Sequence, residues 1–430
     1  MVKFPSLSGG FSRPIPEHAA LSSHRMPLRP GSLTFTLVLG VLIALMPFTN
    51  DIYMPAMPVL VASLNTDVPG VQFTLAAFIA GIAIGQIVYG PLSDRYGRRP
   101  MLIAGLAVFA ASSAACAFSH TVDALAALRF LQALGLAAAP VLGRTVARDL
   151  ASNEQAARLL ARMMVVSGVA PIVAPLLSGL LLAVQGWQAI FLLLSLLGAA
   201  MLAVIVWGMP ETAPKDRTPV NPLTILRNFG QLLRHPAFLA PLAALCASQA
   251  ALFAFVTNSS FVIVRGLGYS PAAFGAFFAI VMVGQIVAAQ IASRVVVRRG
   301  VHGMIAFGAG LGGLSGICIA VLAWMNVTHV AALIAPMTVY MFASGFLNPA
   351  ATAAAMSPFP KIAGSAASLI GSLQMTVGAI TGLVLSLMYD GTARPMATAI
   401  GLAALALLLV ERLLLRPVRR EARHRARHAA

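Results

Sequence analysis

The chain has 430 residues, 59% hydrophobic and only 10% charged, with a mean hydropathy of +0.88 and a formal net charge of +17. A soluble domain is about 45–50% apolar and about 25% charged, so the composition excludes a water-soluble fold and points to an all-α, multi-span membrane protein. The three cysteines, Cys116, Cys246 and Cys318, all lie in apolar runs; they form neither a disulfide framework nor a metal-ligand spacing, and no metal or cofactor is called for.

Residues 1–32 are a polar, Pro-rich arm carrying Lys3, Arg13, Arg25 and Arg29. They lack the order of basic, apolar and cleavage segments that marks a signal peptide. A disordered cytoplasmic arm is expected, with either Met1 or Met26 as the start. Twelve apolar runs follow, at 33–64, 70–92, 100–119, 123–143, 159–183, 187–208, 237–264, 271–293, 301–323, 328–350, 362–388 and 395–415. A bilayer core is crossed by roughly 20 helical residues, so each run is read as one span. Pro47, Pro171, Pro175 and Pro241 inside them are tolerable in membrane helices.

The connections set the orientation. Of the 29 Lys and Arg, nearly all fall in the termini, the central linker and alternate loops; only Arg265 and Arg394 lie on the opposite connections, with Arg129 inside span 4. The positive-inside rule then puts both termini in the cytoplasm. The basic balance is therefore a topology signal, and no nucleic-acid partner is expected. The tail at 416–430 is read as a solvated basic anchor able to touch anionic lipid.

The longest internal connection, 209–236, divides the spans into a first six-helix bundle at 33–208 and a second at 237–415. The halves echo each other: Gly85-Gln86-Ile87-Val88 with Arg95 returns as Gly284-Gln285-Ile286-Val287 with Arg294. Paired six-span repeats imply a transporter with its site between them near the midplane.

Span 1 carries Asn50 and Asp51 in its middle third. A carboxylate at that depth is costly and marks an ion or substrate pathway. Span 4 opens Arg129-Phe130-Leu131-Gln132, with Arg129 and Gln132 on one helix face. An arginine inside a span needs a partner; whether it pairs with Asp51 is left open by the sequence. After span 2 comes Gly90-Pro91-Leu92-Ser93-Asp94-Arg95-Tyr96-Gly97-Arg98-Arg99-Pro100, one acid among three bases in a tight turn. Span 5 spaces Gly168, Pro171, Pro175 and Gly179 for a kinked, closely packing face.

These strings resemble motifs A, B and C of the major facilitator superfamily. Motif A departs in the second half, where Ser293 replaces the acid, and motif C has Ala170 where a glycine usually precedes the proline. Asn50-Asp51-Ile52-Tyr53-Met54-Pro55-Ala56-Met57-Pro58, Gly143-Arg144-Thr145-Val146-Ala147-Arg148-Asp149-Leu150, Ser270-Pro271-Ala272-Ala273-Phe274-Gly275 and Asp390-Gly391-Thr392-Ala393-Arg394-Pro395-Met396 are similar to the Bcr/CflA-type drug:proton antiporters. That resemblance implies a monomer in the bacterial inner membrane that expels drug-like molecules such as bicyclomycin, phenicols or sulfonamides. It implies a motif A cluster of Gly90, Asp94, Arg95, Gly97, Arg98 and Arg99 that latches the halves at the cytoplasmic side.

The mechanism expected is proton coupling at Asp51 with Arg129, driven by the proton gradient alone. Candidate substrate contacts are Met46, Phe48, Asn50 and Tyr53 on span 1, Gln132 on span 4, Phe255, Asn258 and Ser259 on span 7, Asn348 on span 10 and Gln374 on span 11. A proton-coupled carrier of a metabolite or nutrient is the alternative. An enzyme is disfavoured, because the eight histidines all lie in tails, loops or span ends, and no phosphate-binding GxxxxGK[ST] string occurs.

Overall fold

The structure, a computed structural model, describes residues 32–150, 153–213 and 222–415. The predicted arm, save Ser32, the basic tail and part of the central linker lie outside the described residues. Among the described residues, twelve helices are long and apolar enough to cross a membrane. They are Leu33–Ser63, Val68–Tyr96, Arg98–Ala117, Val122–Ala147, Arg162–Val184, Gln188–Gly208, Pro236–Gly266, Pro271–Ala292, Arg299–Trp324, Ala331–Met356, Ala363–Leu387 and Arg394–Leu413, here spans 1 to 12. Each predicted run coincides with one of them.

Local chemistry starts these helices. The side chains of Ser32, Asp67, Thr121 and Ser270 accept from the backbone N–H three residues on, capping spans 1, 2, 4 and 8. Three departures from the predicted pattern have physical causes. Span 1 is one apolar run in the sequence, but its helix stops at Asp51, makes a tight turn at Met54–Ala56, and resumes at Met57–Ser63. Pro55 and Pro58 withhold two N–H donors there and disfavour helix in the residue before each. Span 7 ends in a wide π-turn at Phe261–Gly266. The central linker contains a short helix, Pro222–Leu232, whose Leu232 packs into the second half and whose Asn228 Nδ2 donates to Ser365 Oγ at 3.2 Å.

Within each half, small residues let helices cross closely, as membrane packing favours. A methyl group placed on Gly135 of span 4 would stand 2.6 Å from the Gly105 carbonyl oxygen of span 3. The sequence echo is a structural one. Gly85 packs span 2 on Leu134 and Ala137 of span 4, and Gly284 packs span 8 on Thr338 and Phe342 of span 10.

The halves meet unevenly. The loops after spans 2, 4, 6, 8 and 10 define a basic end. At the other end a single apolar core runs from the first half into spans 7 to 12, through Phe255, Phe261, Phe278 and Met337. At the basic end the second half keeps a core of its own, around Leu232, Phe238, Phe346 and Leu369. The halves thus share one core at one end, while at the basic end the second half keeps its own.

Gly135→Val is expected to cost about 1–3 kcal/mol through overpacking, read as a lower Tm in detergent. Gly90 has no atom within 4 Å of a placed methyl, so Gly90→Ala is expected to leave Tm unchanged or slightly raised.

Candidate functional site: buried charges along the interface of the halves

Arg129 has no solvent-accessible surface. Its guanidinium carbon sits 4.1 Å from the Phe78 ring centre, 4.3 Å from Tyr53 and 5.9 Å from Phe191. Its Nη1 donates to Gln132 Oε1 at 2.7 Å, and Gln132 Nε2 donates on to Ser113 Oγ at 2.7 Å. Nε and Nη2 have no hydrogen-bond partner. The cation is therefore held mainly by ring faces, which attract it electrostatically in a dry setting.

Asp51 is not one of its partners. The carboxylate, also buried, accepts from Asn50 Nδ2 at 2.9 Å. The separation follows from helix geometry. Tyr53 faces Arg129, and a residue two positions earlier on a helix points roughly the opposite way, since each step turns about 100°. Asp51 also ends the first helical segment of span 1, beside the turn at Met54–Ala56 that packs against spans 5, 7 and 8. The carboxylate thus has one neutral hydrogen-bond partner and sits beside the turn where span 1 meets the second half.

At the basic end, the turn after span 2 is a tied network. Gly97 adopts φ +103°, which glycine alone takes readily, and a side chain there would collide with Glu211. Glu211 accepts the backbone N–H of Arg98 at 2.9 Å and of Arg99 at 3.3 Å, so an acid caps the start of span 3. The Arg98 side chain binds Asp94, Ser93 Oγ at 2.7 Å and Asp149 at 3.1 Å. Arg99 Nη2 donates to the Val206 carbonyl at 2.5 Å.

The family description Major Facilitator Superfamily matches residues 39–383. The chain belongs to the major facilitator superfamily. It is 33% identical over 383 residues to the bicyclomycin resistance protein homolog of Haemophilus influenzae, covering 87% of this chain and 94% of that protein. It is 30% identical over 346 residues to multidrug resistance protein D of Escherichia coli, covering 80% and 86%. A solved D-xylose–proton symporter superposes with a TM-score of 0.70 at 16% identity, covering 87% and 96%; that likeness shows the fold alone.

The superfamily's paired halves give the other predicted residues their setting. In this major facilitator chain the Arg98 side chain bonds Asp94, Ser93 and Asp149 and the Arg99 side chain bonds the Val206 carbonyl, all in the first half, while Glu211 of the central linker takes their backbone N–H groups. These side-chain ties lie within the first half rather than between the halves. Motif C packs closely at one end only. A methyl on Gly179 would stand 2.6 Å from Ala272 Cα in span 8, and the Pro175 carbonyl abuts Gly275. Pro171 is half-buried, and Gly168, nearest the basic end, has open space around it.

The candidate substrate contacts divide in two. Met46, Phe48, Asn50, Asn348 and Gln374 are half-buried, and the Asn348 Oδ1 has no hydrogen-bond partner. Tyr53, Gln132, Phe255, Asn258 and Ser259 are fully packed. Tyr53 bonds Thr74 Oγ1 at 2.5 Å and lies under Arg129, Gln132 serves that arginine, and Phe255 stacks on Phe278. These five are interior packing in this state rather than open cavity wall.

Two glutamines were not singled out from the sequence as site residues. Gln86 Nε2 contacts the Met46 sulfur at 3.9 Å, and its Oε1 would stand 3.5 Å from a methyl on Gly371 of span 11. It therefore lies where spans 1, 2 and 11 meet. Gln72 reaches across to span 7. The available signal was an amide inside an apolar run, the same signal that drew attention to Gln132.

Arg129→Ala is expected to destabilise the protein by at least about 2 kcal/mol, the scale of desolvated cation–π contact. Arg129→Lys, which keeps a charge near the rings but loses the planar fork, should lose less. Thermal unfolding in detergent measures both; a Tm equal to wild type for Arg129→Ala would refute the caged arrangement.

Proposed function

We infer that the chain is a proton-coupled antiporter that exports drug-like small molecules across the bacterial inner membrane by alternating access. The observation that carries the reading is Asp51: a buried carboxylate at the seam of the halves, with Asn50 as its hydrogen-bond partner and no cation bound to it. Similarity to proteins named for bicyclomycin and multidrug resistance supports a drug-like cargo. The positive-inside rule supports a cytoplasmic basic end, with both termini on that side. The basic end, where the second half keeps a core of its own, then faces the cytoplasm, the side from which an exporter loads.

In this reading Asp51 is the group that takes up and releases the coupled proton. Cargo entering from the basic end displaces that proton. Rocking of the halves exposes the site to the opposite face, where cargo leaves and a proton returns. Half-buried Met46, Phe48, Asn50, Asn348 and Gln374 are the side chains offered to cargo. They give a mostly apolar wall with a few amides, which suits varied amphiphilic molecules. Arg129 holds span 4 and its neighbours in shape and keeps a positive charge within the first half, so its part in coupling is through the field rather than a bond to Asp51. One proton moved through 100 mV supplies about 2.3 kcal/mol. At about 1.4 kcal/mol per tenfold, that sustains roughly a fifty-fold gradient.

The test is drug susceptibility of an efflux-deficient bacterial host carrying either the intact chain or Asp51→Asn at matched membrane levels. Bicyclomycin, phenicols, sulfonamides and cationic dyes form the panel. The intact chain is expected to raise the inhibitory concentration of at least one compound several-fold, and Asp51→Asn to abolish that gain. Equal protection by both would remove Asp51 from coupling. Protection by neither would turn the cargo question to metabolites and nutrients.

A further inference from the structure

At the end opposite the basic loops, one hydrogen-bonded contact joins the halves inside the apolar seam. Gln72 of span 2 is buried, and its Nε2 donates both to Asn258 Oδ1 at 2.9 Å and to the Thr257 carbonyl at 3.2 Å in span 7. Asn258 is aimed by its own bonds: its Nδ2 donates to Thr257 Oγ1 at 2.8 Å and to the Ala254 carbonyl at 3.3 Å. Its oxygen is thereby turned outward to span 2. Around this contact the closure is left incomplete. Gln72 Oε1 and the hydroxyls of Ser259 and Ser260 are buried without any hydrogen-bond partner.

We propose that Gln72, with Asn258 and the Thr257 carbonyl, is the latch that holds the halves shut at this end, and that opening there requires it to break. The bonds favour closure, while the three orphan polar atoms oppose it, because each would regain a partner from water on opening. Opposed terms of similar size are what a two-state element needs. The backbone beyond the latch is fitted to move: the π-turn at Phe261–Gly266 follows directly, a wider and less regular winding than the helix before it. Packing alone closes the flanks, where Gly179 meets Ala272 and Gly275 meets Pro175. The latch is made of neutral amides, whereas the basic end is tied by the ion pairs of Arg98. Its strength is therefore insensitive to pH and to salt, so a carrier that exchanges protons can open this end without titrating it. The assignment is independent of the cargo and of the coupling ion.

The experiment follows a thiol reporter. Ser260→Cys, inaccessible in this state, is placed in a chain carrying Cys116→Ala, Cys246→Ala and Cys318→Ala. Its rate of reaction with a water-soluble cationic methanethiosulfonate is measured in the purified protein, with gel filtration confirming a folded monodisperse sample. Gln72→Leu is expected to raise the rate at least about fivefold, which is about 1 kcal/mol in the opening equilibrium. The exchanged pair, Gln72→Asn with Asn258→Gln, keeps the combined reach of the two amides and is expected to return the rate to within about twofold of the parent. A rate unchanged in Gln72→Leu overturns the latch. So does a rate raised equally in the exchanged pair, since that would mark general loosening rather than a lost bond.

Discussion

The guanidinium of Arg129 is surrounded by Tyr53 from span 1, Phe78 from span 2 and Phe191 from span 6, and it is bonded through Gln132 to Ser113 of span 3. A cation in so dry a place is costly unless rings and acceptors are brought to it, so the helices that supply them must stay together. This ties spans 1, 2, 3, 4 and 6 of the first half around one buried charge. The tight crossings at Gly81, Gly85, Gly105 and Gly135 serve the same end by letting backbones approach where a side chain would collide.

The first half meets the second along one seam. That seam has two different chemistries. One end is dry, an apolar core with neutral amides and a few unsatisfied oxygens. The basic end is bordered by charge, with Arg98 shared between Asp94 and Asp149 and with Glu211 capping the next helix. Asp51 lies between these ends, beside the broken turn of span 1. A break at prolines beside this buried carboxylate is accommodated because irregular backbone is tolerated at membrane depth where it is buried in protein.

Several features were legible from the chain. Twelve spans follow from run lengths, because a bilayer imposes a length on every crossing. The echo of Gly85-Gln86 in Gly284-Gln285 announced matching crossings, and both glycines are found at them. The Gly90–Arg99 turn was recognisable as a network because its residues are local to one another. The partners of that network were harder. Asp149 and Glu211 come from remote loops, and their place beside Arg98 depends on how spans 3, 4 and 6 pack.

The sequence by itself determined the class of protein, the number of spans, the buried charges and the family, since these follow from local composition, spacing and motif. Tertiary structure alone decided what each buried polar group faces. It set Arg129 on three rings and not on Asp51, because Tyr53 occupies the facing side of the helix. It turned Gln132, Phe255 and Asn258 from candidate cavity wall into interior contacts. It also joined Gln72 to Asn258 across 186 positions of chain. Helical periodicity gives a residue its face, but only the docking of one half against the other gives that face a partner.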